Sequence, residues 1–214
     1  MIGKIVFLCF MCGVALAGRS ANQYIDNVLR TQLPQALRSV GLDPAPLPGF
    51  NTYFGPQGIY QNQGEAVFSN GNATNLGRLE RKGDCSGPKL FRGEISINCT
   101  LRLTQITTAY KVIIRNGSYI YTPRNMGHVA ETLMTLEVTG RPQNYLGSVQ
   151  KFRVDRLGQI TPTFSSLPAP LNKYLKVIQD AYRTNVSSYL FNVLQNNYVY
   201  ALGRALSGTP MPRQ

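Results

Sequence analysis

Few residues in this chain could do covalent chemistry. There is one histidine, His128, set against ten carboxylates that mostly lie beside basic residues. General acid and base catalysis needs a titrating group held within reach of a partner, and nucleophilic catalysis needs an activated hydroxyl or thiol. His128 follows Met126-Gly127 in a loop-like stretch and reads as a surface histidine, while Ser86, beside Cys85 and ahead of Gly87-Pro88, reads as turn chemistry. No nucleophile elbow, phosphate-cradling glycine loop, zinc-binding histidine pair or calcium loop is present in the sequence. The composition therefore points away from an enzyme and requires no cofactor. Two sulfurs and a distant histidine are too few ligands for a metal.

The remaining reactive groups speak of compartment. Lys4 leads an apolar run from Ile5 to Leu16 that ends in Ala15-Leu16-Ala17, the pattern of a secretory signal peptide over 1–17, with a single domain expected over 18–214. The run is shorter than the roughly 20 residues a spanning helix needs, so no transmembrane segment is expected and the protein is expected to be secreted. Cys9 and Cys12 leave with the leader, and in an oxidising compartment Cys85 and Cys99 are expected to form one disulfide. Asn72, Asn98, Asn116 and Asn185 each open an Asn-X-Ser/Thr sequon, which makes a glycoprotein the expectation.

Without Lys4, 21 basic residues face 10 acidic ones, a net charge of +11 that favours anionic lipid or glycan surfaces. Arg78, Arg81, Lys82, Lys89 and Arg92 are the densest basic group, interleaved with Glu80, Asp84 and Glu94, and are the candidate anion contacts. Nucleic acid is not an expected partner: the chain is read as secreted, and neither tryptophan nor zinc-finger spacing accompanies the charge.

The elements that must carry these residues run helix, sheet, helix. From Asn22 to Val40, Ile25, Val28, Leu29, Leu33, Ala36, Leu37 and Val40 fall at steps of three and four, one face of a helix, with Pro34 inside it as a candidate kink. Gly41 and the prolines 44, 46 and 48 end it and lead into an extended arm. Between Tyr53 and Phe164 the period becomes two. Phe91 to Leu103 reads as the clearest strand, with Ile95, Ile97, Cys99, Leu101 and Leu103 on the dry parity and Asn98 on the wet one. Val112 and Ile114 alternate with basic residues ahead of Asn116-Gly117, the strongest hairpin signal. Met134, Leu136 and Val138, then Phe152 and Val154, continue the alternation, so the sheet is antiparallel with one apolar face. A tight hairpin at Ser86-Gly87-Pro88 leaves Cys99 far past the position opposite Cys85, and the partner strand of the bridge stays unplaced. Beyond Pro170, Leu171 to Thr209 carries the longest helical signal, whose leucine and tyrosine stripe needs the dry sheet face as its partner.

This layout, with the opening Ile25 to Leu37 helix, the arm through Pro48-Gly49-Phe50, and the stretches Leu79-Glu-Arg-Lys-Gly-Asp-Cys85-Ser-Gly-Pro88 and Ile97-Asn-Cys99-Thr-Leu101, resembles the arthropod group 7 mite allergens. More distantly it resembles the juvenile-hormone-binding and takeout proteins, all of the tubular lipid-binding superfamily that includes bactericidal permeability-increasing protein. The resemblance covers nearly the whole mature chain as architecture rather than motif. The hormone-binding and takeout proteins carry an N-terminal cysteine pair that this chain lacks before Cys85, so no juvenile-hormone site is carried over.

The resemblance implies an α+β fold, a super-rolled antiparallel sheet wrapped around a long C-terminal helix with an N-terminal amphipathic helix, holding a hydrophobic or amphipathic lipid-like ligand without catalysis. The candidate lining is Leu29, Leu33 and Leu37 from the first helix, Ile95, Ile97, Val112, Ile114, Leu136 and Val138 from the strands, and Ile178, Leu190 and Val193 from the last helix. The alternative reading is a basic recognition or immune-modulating protein that binds lipopolysaccharide, glycosaminoglycan or a protein partner through its surface.

Overall fold

A computed structural model describes residues 19–56, 63–91, 93–141 and 146–212. The signal-peptide reading of 1–17 and the anion-contact candidate Arg92 lie outside the described residues.

Helix α1 covers 19–39 and is not uniform. Its middle, Val28–Gln32, is π-helical, and regular α-helix resumes at Leu33–Ser39. Pro34 explains the irregularity: a helical proline has no N–H to donate and its ring crowds the preceding turn, and the wider π turn absorbs both effects. Ile25, Val28, Leu29, Leu33, Ala36 and Leu37 are all buried, as the spacing predicts.

The strand region is antiparallel throughout but forms two sheets rather than one continuous layer. The first contains β1 (Ala45–Leu47), β2 (Phe50–Phe54), β3 (Gly64–Thr74), β7 (Thr107–Asn116), β8 (Tyr119–Tyr121), β9 (Asn125–Val129) and β12 (Ile160–Phe164). The second contains β4 (Leu79–Arg81), β5 (Lys89–Phe91), β6 (Glu94–Leu103), β10 (Thr132–Gly140) and β11 (Ser148–Arg156). The chain passes between them at 75–78, 104–106, 130–131 and 157–159. These crossings form one waist, held by hydrogen bonds from Asn75 Nδ2 to the Gln105 carbonyl, Val129 N–H to the Ile106 carbonyl, Ala130 N–H to the Gln159 carbonyl and Gly158 N–H to Thr132 Oγ1. Buried backbone groups need partners, and here the waist supplies them.

The disulfide is present between Cys85 and Cys99, with Cα atoms 4.4 Å apart. Its partner strand is placed by a turn the sequence disguises. The chain reverses at Gly93, where φ is +79°, and not at Ser86-Gly87-Pro88. Residues 79–91 therefore run back along β6 from Leu79↔Leu103 to Phe91↔Glu94, with Cys85 facing Cys99 in the irregular stretch between β4 and β5. Phe91 thus belongs to β5 rather than to the strand that follows. Ser86 donates its backbone N–H to the Asn98 carbonyl and accepts from Asn98 N–H through its hydroxyl. A second correction is smaller: the β7–β8 turn residues are Gly117-Ser118, one step past the Asn116-Gly117 pair. Gly117 has φ +59°, the positive value both favoured hairpin turns demand at this position.

Two helices close the chain: α2 (Ala169–Asn172), and α3 over 175–207, which comprises Leu175–Asn192, a π-helical stretch Val193–Asn197, and Tyr198–Ser207. At 1.5 Å per residue α3 is about 50 Å long. It serves both sheets: its first half packs on β1, β2 and β12, and its second half packs on β11 and on α1. The helix continues through Asn196-Asn197. The π turn keeps it continuous and turns Gln195 toward β11, where Oε1 accepts from Val154 N–H at 2.9 Å and Nε2 donates to the Phe152 carbonyl at 3.2 Å. No described helix is long and apolar enough to cross a membrane.

Candidate functional site

The twelve residues expected to line a ligand site are all buried, and all belong to one apolar core. The structure splits them by sheet. Val112, Ile114 and Ile178 lie where the first half of α3 meets the first sheet. Ile95, Ile97, Leu136 and Val138 line the inner face of the second sheet, with α1 supplying Leu29, Leu33 and Leu37 beside the second half of α3. Leu190 and Val193 fall at the changeover. The second group is closely packed: all seven of its members are no more than 4% exposed, and a surface groove of about 600 Å³, lined by Lys89, Leu90, Glu94, Ser96, Glu137, Thr139 and Gln150, lies on the opposite, wet face of that sheet.

The first group is framed differently, by aromatic rings that the sequence reading left out of the site. Phe50 and Phe68 face each other across β2 and β3 and stack with centroids 4.3 Å apart. Tyr110 meets Phe50 edge-on at 5.4 Å, and Tyr182 from α3 fits between them, 5.8 Å from Phe68 and 5.7 Å from Tyr110. Phe164 of β12 and Tyr189 of α3 complete the ring set, at 6.2 Å from Tyr182 and from Phe50 respectively. Offset and edge-on pairs at these distances are favourable beyond simple burial.

Two glycines make this approach possible. A Cβ at Gly71 would fall 2.3 Å from the Tyr110 ring, and one at Gly127 would fall 2.5 Å from Thr108 Oγ1 and 2.9 Å from Tyr182. The β-bulge between Ser69 and Asn72, with Asn70 at φ +53°, brings Gly71 under the Tyr110 ring.

The polar ends of these rings are satisfied within the protein. Tyr182 and Thr108 hydroxyls are 2.8 Å apart, and Tyr110 donates to the Pro48 carbonyl at 3.0 Å. Burial pushes the Tyr182 phenol up to about 12, with the Thr108 hydrogen bond pulling the other way. Burial likewise raises Tyr110, reinforced by Tyr182 and Tyr189. The phenols thus stay neutral and present apolar faces. Phe50, Phe164, Tyr174 and Tyr189 are only half-buried, so the aromatic set reaches the surface along the seam between α3 and the first sheet. Chemically the seam offers stacking and apolar contact, with one cation, Lys173, over the Tyr174 ring at its end.

The anion-contact candidates do not converge on it. Arg81 turns toward α1 and holds Asp26 through two hydrogen bonds of 2.8 Å, and Lys82 pairs with Glu131 at 2.9 Å. Arg78 donates to Gln105, and Lys89 lines the groove on the second sheet. Asp26 and Asn22 explain why Arg81 is drawn in: Asn22 accepts from Cys85 N–H at 2.8 Å, which fastens the disulfide segment to α1. His128 lies on a strand, exposed on β9 opposite Thr161, rather than in a loop. Among the described residues no cluster of three metal-ligating side chains forms.

The sequons differ in setting. Asn98 is exposed on β6, Asn72 and Asn116 are half-buried on β3 and at the β7–β8 turn, and Asn185 lies within α3 with Nδ2 donating to the Ala181 carbonyl at 2.9 Å.

The rings were missed because core aliphatics and core aromatics give the same periodic signal. What could have singled them out is composition: Phe50, Phe54, Phe68 and Tyr110 concentrate in the first sheet, and Tyr182 and Tyr189 recur at helical spacing on α3, with Tyr174 at its N-terminal boundary.

Compared with known proteins, residues 20–199 match the group 7 allergen family model. No curated protein matches the sequence. Among solved structures, a crystal structure of lipopolysaccharide binding protein is 16% identical, covers 85% of this chain and 40% of its own, and superposes with a TM-score of 0.46. This chain therefore spans well under half the length of that protein. Takeout 1 from Epiphyas postvittana is 12% identical, with 86% and 91% covered and a TM-score of 0.41.

Proposed function

This chain belongs to the group 7 allergen family, and from that premise we propose that it is a secreted, non-catalytic binding protein for a hydrophobic or amphipathic lipid-like molecule. The ligand is held between α3 and the first sheet. The observation that carries this reading is the aromatic seam, in which fully buried Tyr182 and Phe68 are continued outward by half-buried Phe50, Phe164 and Tyr189. The half-buried outer rings of this seam border solvent, whereas the aliphatic candidates around α1 are buried. Burial of apolar surface at roughly 25 cal/mol per Å² lets a few hundred Å² of acyl chain reach micromolar affinity after ordering costs. Val112, Ile114 and Ile178 form the floor of this site. The seven candidates of the second group pack the second sheet against α1 and α3, and Leu190 and Val193 lie at the changeover.

The test is displacement of a fluorescent fatty-acid probe. Saturable binding that weakens in Phe50→Ala and Tyr189→Ala supports the reading, and no saturable binding by folded protein contradicts it.

The second reading, a basic protein that recognises lipopolysaccharide, glycosaminoglycan or a protein through its surface, draws support from the close packing of the second sheet against α1. Heparin or lipopolysaccharide binding that disappears by about 0.3 M salt fits it, because exposed charges are screened.

A further inference from the structure

One end of the molecule combines exposed apolar side chains with unmatched positive charge. On the outer face of the first sheet a single cross-strand row joins Tyr53, Glu65, Arg115 and Ile120. With neighbouring strands about 4.8 Å apart, the row spans roughly 14 Å. Tyr53 is 55% exposed and Ile120 70%, and Tyr119, next to the β7–β8 turn, is 76% exposed. Glu65 and Arg115 pair at 3.3 Å between the two apolar ends. Single exposed apolar residues are ordinary, but three on adjacent hairpins at one end form a projecting edge.

The charge around this edge is one-sided. Lys111 lies on the same outer face as Arg115, two pleats along β7. Arg124 reaches the same end because its backbone pairs with Ser165, beside the Tyr121 to Ser166 hydrogen bond. Lys173 lies over the Tyr174 ring, which packs on Phe54 at the end of β2. Four cations thus lie on or beside this end of the sheet against one carboxylate, Glu65, which is already paired with Arg115. Amphipathic tyrosines, an exposed isoleucine and lysine or arginine at the rim are the side chains that settle at the boundary between lipid headgroups and acyl chains. Anionic headgroups match the sign of the rim.

We propose that the end of the first sheet carrying Tyr53, Tyr119 and Ile120 docks onto an anionic lipid surface. The docking edge faces outward from the first sheet, meets the seam only at Tyr174, and stands whether or not the seam takes a guest. Docking is shallow and reversible, because three side chains and a few charges make an interfacial contact rather than a span.

The test exploits the absence of tryptophan from the chain. All proteins carry Asn116→Gln, so that no oligosaccharide at the turn covers the tip. Flotation is measured with phosphatidylglycerol/phosphatidylcholine vesicles and with phosphatidylcholine vesicles alone, for the parent protein, for Tyr119→Ser/Ile120→Ser, and for Ile120→Trp. The parent floats with the anionic vesicles and at least about tenfold less with neutral ones. The double serine variant, with an unchanged circular dichroism spectrum and melting temperature, loses at least about tenfold of that binding. Tryptophan emission of Ile120→Trp shifts to the blue on anionic vesicles and is quenched by lipid-borne nitroxide. Failure of the folded parent to float overturns the proposal. So does equal flotation of the double variant, or an unmoved tryptophan spectrum in protein that floats, since binding then uses another face. Equal binding to both vesicle types overturns the anionic assignment, and a lipid-independent dimer abolished by the double variant assigns the edge to a second copy of the chain. Because no fatty-acid probe is used, the outcome is independent of the interior site.

Discussion

The hydroxyls of Tyr182 and Thr108 lie 2.8 Å apart, both buried, at the point where α3 crosses β7. This contact ties the helix to the first sheet, while burial keeps the central phenol of the aromatic set neutral. Tyr182→Phe removes it while keeping the ring. Thr108 retains the Gly127 carbonyl as a partner at 3.4 Å, so the loss is modest, about 1 kcal/mol by denaturant unfolding.

High pH tests the same burial across the chain. Tyr182, Tyr110, Tyr24 and Tyr198 are all raised from 10.0 by burial. A raised folded-state value means that the native state holds its proton longer than the unfolded state. The stabilisation is therefore complete below pH 10 and drains as pH climbs from 10 through about 12, the value for Tyr182. The phenolate absorbance of these four tyrosines is expected to appear together with loss of near-ultraviolet circular dichroism. Their ionisation in a protein that keeps its tertiary signal would refute the packing described.

Phe50 and Leu37 separate the two halves of the core. Phe50→Ala, at a half-buried ring, is expected to cost about 2 kcal/mol and to change fatty-acid probe affinity. Leu37→Ala, at a fully buried site between α1 and α3, is expected to cost about 2–5 kcal/mol and to leave probe affinity unchanged. Titration of the probe alongside urea unfolding of each variant reads both effects.

Gln195 closes the free edge of β11 by satisfying Val154 N–H and the Phe152 carbonyl. Gln195→Leu leaves both groups without that partner and is expected to lower stability by about 1–3 kcal/mol. Hydrogen exchange at Val154 should rise in step, while Val112 in the first sheet stays protected.

The disulfide and the Arg81–Asp26 pair share one task, holding the segment before β5 against β6 and α1. A bridge closing about 15 residues is worth about 3 kcal/mol in the chain-entropy model, so Cys85→Ser/Cys99→Ser is expected to lose that much yet remain folded. Adding Asp26→Ala removes the second tie and two charge-assisted hydrogen bonds, a further loss of about 1–3 kcal/mol seen in thermal unfolding.

Periodicity made much of the fold legible. The faces of α1 and of β6, β7 and β10 follow directly from it, because a helix repeats near 3.6 residues and a strand at 2. Pairing was not legible in the same way. Ser86-Gly87-Pro88 looks like a turn, yet the reversal is at Gly93, since register depends on contacts between strands that no single strand records. Division into two sheets depends likewise on the waist hydrogen bonds of Asn75, Ala130 and Gly158. For the candidate site, the burial of Val112, Ile114 and Ile178 was readable. The Phe50, Tyr182 and Tyr189 assembly was not, because its geometry comes from a bulge at Asn70 and a close approach at Gly71.

Purification from its natural source under non-denaturing conditions, followed by solvent extraction and mass spectrometry, tests the central claim most directly. The account predicts a lipid-like molecule recovered in stoichiometric amount from the native protein and depleted from the Phe50→Ala and Tyr189→Ala variants expressed in the same host. Repeated recovery of folded protein without such a molecule, together with no uptake of a fatty-acid probe, would contradict it.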